Sequence, residues 1–353
     1  MQISNNRLAD LGIASGIESV VDEVTGQAAM VGRRQNRGAL TMRVGILGAG
    51  AIGGFFAAHL VRAGADVQVL ARNATLDAVR RNGLLLESDQ GQICVRPNAV
   101  SDKAADLGAV DILIVAVKGQ DTAGALAHVK PMLGDNTRLL SLQNGFAGLE
   151  IMEKVVGADR VLSGITYVPA TVLAPGHIRH TGRVTRTVFG PYTPDAENGQ
   201  GEALAKLMQV AGLDVSYMDE PLPAIWSKFV MLAPFHSVSA LTRAPLGHWI
   251  DCAETQGVYR AAMAEVVAVA KARDVALPPD LVERHMAFTL TQADRRTRAS
   301  MLDDLEQGRP TELEATIGWL VRAARQLSVP VPIHDLAYAL LKPMADGRAV
   351  LGV

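Results

Sequence analysis

The chain has 353 residues, 49% of them apolar and 20% charged, a length that suits two domains of roughly 100–200 residues each. Its 34 basic and 36 acidic residues leave a formal charge of −2, which excludes nucleic-acid binding by bulk charge; 16 Pro and 33 Gly exclude a collagenous or low-complexity chain. Two cysteines, Cys94 and Cys252, make neither a disulfide framework nor a zinc pair, and a reducing, cytoplasmic setting fits.

Residues 1–41 are polar, mixed in charge and irregular, and lack the apolar core of a signal peptide. They read as an N-terminal extension, either a disordered tail or an over-long start, and Glu18, Asp22 and Glu23 count against a transit peptide. From Met42 the pattern sharpens. Residues 43–47 (RVGIL) read as a buried strand, 51–63 as an apolar helix and 67–71 (VQVLA) as a second strand. Val44 to Val61 carries no formal charge and holds a Gly50/Gly54 pair, yet five glycines from Gly45 to Gly54 argue against a membrane helix. Further apolar runs at 111–117 (DILIVAV) and 138–142 (RLLSL) read as strands, with helices at 120–132 and 148–156. Strands alternating with helices imply a parallel sheet buried on both faces.

From Tyr167 to Tyr192, Pro, Gly and Thr alternate with Val and Ile, which predicts a hairpin or short antiparallel strands. A helix over 198–212 and a strand over 214–218 follow, and after Pro223 helices are expected at 223–242, 255–273, 280–307, 312–327 and 334–345. The fold class is therefore an α/β Rossmann-type N-terminal domain over 42–219 and an all-helical C-terminal domain over 220–353.

Gly48-Ala49-Gly50-Ala51-Ile52-Gly53 is a GxGxxG between a strand and a helix, the context in which that spacing signals a dinucleotide. The glycines permit a tight turn, backbone approach to a pyrophosphate and close packing of helix on strand, and the helix N-terminus favours the phosphates. The second strand ends in Arg72, 19 residues after Gly53, with no acid before Asp77. A guanidinium there suits the 2′-phosphate of NADP rather than the free ribose of NAD. Arg72, Lys118 and Asn144 all fall at carboxyl ends of parallel strands, the side on which open α/β sheets bind ligands.

Between Pro221 and Phe235 the one charged residue is Lys228. On an apolar helix it is either a buried lysine with a lowered pKa, suited to proton transfer, or a side chain that snorkels to solvent. Thr311 and Glu314 form a T-x-x-E capping box at the start of the 312–327 helix, placing Glu312 in its first turn. Glu312 reads equally as complementing the helix dipole or as facing a ligand. Ser300, in a polar stretch, reads as solvent-facing.

Taken together, GILGAGAIGG, Arg72, VAVKGQ around Lys118, LQNG around Asn144, IWSKF around Lys228 and SMLDDLEQGRPTELE from Ser300 to Glu314 resemble the ketopantoate reductase (2-dehydropantoate 2-reductase) family, from the Met42 region to near Lys342. The resemblance implies NADPH-dependent reduction of ketopantoate to pantoate, for pantothenate and coenzyme A, in a cleft between the two domains. It implies that Lys228 protonates the developing alkoxide, that Glu312 contacts the substrate, that Ser300 binds its carboxylate end, and that Lys118 and Asn144 line the boundary of cofactor and substrate. On that view Gly48 to Gly53, Arg72, Lys118, Asn144 and Glu312 serve NADP(H).

The sequence also departs from the family. Its helix carries asparagines four and eight residues after the lysine, where this chain has Leu232 and His236, with Pro234 between them to kink or end the helix. His236 either replaces an asparagine or packs in the core. A paralogous reductase of another 2-oxo acid or ketone, with a more apolar pocket, is therefore the alternative. A catalytically silent NADP-binding regulator is the alternative of another class. The expected partner is a small 2-oxo acid, with no metal, nucleic acid or membrane, and a homodimer is left open.

Overall fold

The computed structural model describes residues 42–194, 196 and 199–347; the N-terminal extension over 1–41 lies outside them. By contacts the chain forms two compact units. Among the described residues the first comprises Met42–Gln143 and Gly148–Pro221, and the second Asn144–Ala147 and everything from Leu222.

The first unit opens with β1 (Arg43–Leu47), α1 (Ala51–Arg62), β2 (Asp66–Leu70), α2 (Asn73–Asn82), β3 (Leu84–Ser88), β4 (Gly91–Val95), β5 (Ala99–Ser101), α3 (Ala104–Leu107) and β6 (Val110–Val115). It continues through α4 (Thr122–Leu126), β7 (Leu133–Ser141), α5 (Ala147–Val156), β8 (Val161–Thr166), β9 (Ala170–Ala174), β10 (His177–His180), β11 (Thr187–Pro191), α6 (Gly199–Val210) and β12 (Val215–Tyr217). An eight-stranded sheet runs in the order β12-β11-β8-β7-β6-β1-β2-β5. Its pairs are parallel except β8 with β11. Val44, Ile46, Ile112, Ile114 and Leu140 are fully buried, as continuous apolar strands require when both faces are covered. The chain leaves β1 toward β2 and β5, then returns to β6 on the other side, which makes the carboxyl ends of β1 and β6 the topological switch point. This is the Rossmann-type layer expected from the sequence.

A second sheet, β4-β3-β10-β9, includes two strands that were not anticipated, β3 and β4. β3 and β10 bury Leu84, Leu86 and Ile178 in the same core as Phe55 and Phe56 of α1. Gly54 permits this packing: a Cβ there would lie 2.5 Å from the Ile178 side chain. Gly54 thus serves a strand against a helix, and among the described residues no helix is long and apolar enough to cross a membrane. The 167–192 region holds the short antiparallel strands expected of it, β9 with β10 and β11 with β8. The helix expected over 120–132 is broken: a 3-10 turn at Gly119–Asp121 leads into α4, and Pro131 confines the remainder to a 3-10 turn at Lys130–Met132.

The second unit is helical: α7 (Leu222–Thr242), α8 (Leu246–Ile250), α9 (Ala253–Ala272), α10 (Leu281–Thr291), α11 (Ser300–Glu306), α12 (Ile317–Gln326) and α13 (Pro332–Leu341). α7 matches the helix expected over 223–242 and does not end at Pro234, one of the two outcomes that proline suggested. Pro234 is buried, and packing of an almost wholly apolar helix outweighs a proline cost of about 3 kcal/mol. The single helix expected over 280–307 is two, α10 and α11. Between them Asp294 accepts the Arg296 backbone N–H at 2.9 Å and so competes with the helical ladder.

The capping box is also absent. Thr311 N–H donates to the Ala345 carbonyl at 2.9 Å instead of to Glu314. The Glu314 carboxylate accepts from Arg322 (2.7 Å), Tyr338 (2.8 Å) and Lys342. Residues 313–316 form turns, and α12 begins only at Ile317. Glu312 therefore lies ahead of the helix and outside its first turn.

Candidate active site

In the α/β unit the turn after β1 is shaped by its glycines. Gly48 has φ +93°, where a side chain is strained, and a Cβ would meet Val117 at 2.6 Å. At Gly53 a Cβ would lie 1.9 Å from the Gly48 carbonyl oxygen, so α1 can start this close to β1 only with hydrogen at that position. Gly50 differs, because a Cβ there would meet no atom of the described residues within 4 Å. It caps α1 without a side-chain hydrogen bond, and the first turn holds no acid. Ala51 and Ile52 open that helix, and Ala49 in the preceding turn is buried. The arrangement is a bare helix N-terminus with open space before it, which suits a phosphate group.

Arg72 follows β2 at the N-cap of α2 and is exposed. Its Nη2 lies 3.4 Å from Asp121 Oδ1. Lys118 follows β6, and its carbonyl accepts from Asp121 N–H at 2.9 Å. Gln143 ties down this loop: its amide donates to the Val117 carbonyl and to Thr122 Oγ1, both at 2.7 Å. Asp121 and Gln143 were missed in the sequence. Gln143 adjoins Asn144 after an apolar strand and could have been found there; Asp121 comes near Arg72 only through the fold.

In the helical unit Lys228 Nζ donates to Asn144 Oδ1 at 3.2 Å, across 84 residues of sequence. The Asn144–Ala147 segment is anchored by Phe146, whose ring centroid lies 4.5 Å from Trp226, 4.7 Å from Trp319 and 5.4 Å from Phe229. Gly145 has φ +80° and sits under Phe229 and the Ala315 carbonyl, where a Cβ would approach within 3.3 and 3.0 Å. This aromatic cluster also escaped the sequence reading, although Phe146 beside LQNG and Trp226 beside Lys228 are its traces.

Burial lowers the Lys228 pKa to about 8, and the negative charge of Glu312 opposes that fall. Near neutral pH the side chain is then mostly an ammonium that gives up its proton readily. Leu232 and His236 follow at one-turn intervals on the same face of α7. Leu232 is partly buried. His236 is 2% exposed, and its Nδ1 has no hydrogen-bond partner among the described residues. Burial drives its pKa down to about 4, helped by the Lys228 charge and opposed by Asp304, so the imidazole is neutral at pH 7. Glu312 is partly buried, and its carbonyl accepts from Thr316 N–H at 3.0 Å and Thr316 Oγ1 at 2.8 Å. Ser300 is exposed at the first position of α11. Lys228, Asn144 and Glu312 thus form one group, a poised cation with an amide and a carboxylate, able to donate a proton and to stabilise a developing oxyanion.

Comparison with known proteins gives this arrangement a family. Residues 44–194 match the profile described as "Ketopantoate reductase PanE/ApbA", and residues 222–345 match that of its C-terminal region. A 2-dehydropantoate 2-reductase of Mesorhizobium japonicum is 33% identical over 330 residues, covering 87% of this chain and 99% of its own. One from Halobacterium salinarum is 30% identical, covering 86% and 97%. The crystal structure of a PanE/ApbA family ketopantoate reductase from Ralstonia eutropha superposes with a TM-score of 0.78 at 30% identity, covering 86% of this chain and 98% of that one. The chain belongs to the ketopantoate reductase family, oxidoreductases that act on a CH–OH group.

Proposed function

We propose that this chain reduces 2-dehydropantoate to pantoate with NADPH, a cytoplasmic step toward pantothenate and coenzyme A. The observation that carries the reading is Lys228, hydrogen-bonded to Asn144 and lowered to about 8 in pKa. The cofactor fits the chain: space is open at Gly50, while Gly48 and Gly53 are closed to any side chain. Gly48 to Gly53 would hold the pyrophosphate, Arg72 the 2′-phosphate, and Lys118, Asn144 and Glu312 the neighbouring groups. When bound, the reduced nicotinamide supplies a hydride to the keto carbon. Lys228 holds the proton that the developing alkoxide takes up, and its charge lowers the cost of that oxyanion. Asn144 orients the ammonium, and Glu312 keeps more of it protonated while contacting the substrate. Ser300 receives the substrate's carboxylate end.

Leu232 and His236 favour a second reading, a reductase of another 2-oxo acid or ketone. A site that lacks the amide for a substrate hydroxyl discriminates poorly for that hydroxyl, and a leucine favours an apolar group instead. A silent NADP-binding regulator has less support, since it would not need a lysine held as Lys228 is. The test is kcat/KM for NADPH oxidation with 2-dehydropantoate beside a panel of other 2-oxo acids. The proposal expects roughly 10⁴ M⁻¹s⁻¹ or more, with 2-dehydropantoate preferred. A faster competitor would transfer the assignment to the second reading, and NADPH binding without turnover of any carbonyl would transfer it to the third.

A further inference from the structure

β2 and β6 flank β1 on either side, so their ends stand about 10 Å apart, at roughly 4.8 Å per strand spacing. Arg72 follows β2 and Asp121 follows β6, and their ion pair at 3.4 Å therefore spans the strand from which the glycine turn springs. Asp121 occupies the residue before α4, where an aspartate ordinarily accepts the N–H groups of the first turn. Here the 3-10 turn runs straight into the helix, the Asp121 backbone is already helical (φ −87°, ψ −10°), and the carboxylate makes no capping bond. It meets Arg72 instead.

We infer that Asp121 sets cofactor specificity by competing with the 2′-phosphate for Arg72, which weakens the preference for NADPH over NADH. The inference rests on the assignment of Arg72 to that phosphate. A phosphate bound by the guanidinium would compete for Nη2, which faces the carboxylate, and would meet a like charge beside it. A free ribose hydroxyl can instead donate to Asp121. NAD sites carry an acid for this at the end of the second strand; β2 has none, and the loop after β6 supplies one through space. With side chains 74% and 45% exposed, respectively, Arg72 and Asp121 are screened by water, so the competition is graded and does not abolish binding.

The test is calorimetric binding of adenosine 2′,5′-bisphosphate and adenosine 5′-monophosphate to the full chain, in wild type, Asp121→Asn, Arg72→Ala and the double variant. Asp121→Asn should bind the bisphosphate about two- to fivefold tighter, the scale of an exposed ion pair, and the monophosphate no tighter. The gain should shrink in the Arg72→Ala background, where only the like-charge repulsion is left to relieve. Unchanged or weaker bisphosphate binding in Asp121→Asn, or equal tightening of both probes, would overturn the inference while leaving Arg72 in place. If Arg72→Ala alone leaves bisphosphate binding unchanged, the phosphate assignment itself fails, and the inference falls with it. Unaltered thermal unfolding of Asp121→Asn separates each outcome from a folding defect.

Discussion

In the α/β unit the candidate cofactor site is largely backbone, with three glycines, a helix end and the rim of a parallel sheet, and Arg72 stands beside it. In the helical unit the candidate site is made of side chains, held by packing between residues far apart in sequence. A backbone site tolerates almost any neighbouring side chain but no Cβ at two positions. A packed site tolerates backbone variation but depends on the aromatic cluster that fixes Asn144 against Lys228. Substitutions should therefore separate the two units by the property that fails.

The largest effect is expected at Lys228. Lys228→Ala should lower kcat by about 10²–10⁴, the range for loss of a general acid, while the dissociation constant of NADPH stays near wild type; steady-state kinetics and fluorescence titration measure the two. Phe146→Ala should follow, because Phe146 is 5% exposed and packs on three aromatic rings. Denaturant unfolding should report a loss of about 3–5 kcal/mol, and activity should fall through the freed Asn144.

Two glycine variants sharpen the contrast within the other unit. Gly53→Ala forces its methyl into the Gly48 carbonyl and should destabilise by about 1–3 kcal/mol. Gly50→Ala meets nothing and should leave the unfolding midpoint unchanged, yet weaken NADPH binding by filling the space before α1. Equal behaviour of the two would contradict the assignment of that space. The smallest effect is expected from Glu312→Gln. Glu312 raises the Lys228 pKa, so removing its charge should move the fall in reductive activity to lower pH; a limb that stays in place would remove Glu312 from the group.

This contrast also governs what the sequence disclosed. The glycine loop, the strands beside it and the apolar helix around Lys228 depend on short-range spacing, and periodicity finds them. The Asn144–Lys228 hydrogen bond and the Arg72–Asp121 ion pair join residues that only the fold brings together. The T-x-x-E pattern misled because Glu314 was drawn to Tyr338 and Lys342 of distant elements. β4 was overlooked because it is largely exposed and leaves little apolar signal. At Pro234 local chemistry allowed an end to α7, and the packing of a largely buried apolar helix overrode it.

The central claim is that Lys228 is the proton donor, and the pH dependence of kcat/KM for 2-dehydropantoate reduction tests it most directly. Only the ammonium form donates, so the account predicts a plateau below the Lys228 pKa of about 8 and a tenfold fall per pH unit above it. In Lys228→Ala that limb should disappear from a much lower rate. A wild-type profile flat to pH 10, or the same falling limb in both proteins, would contradict the claim.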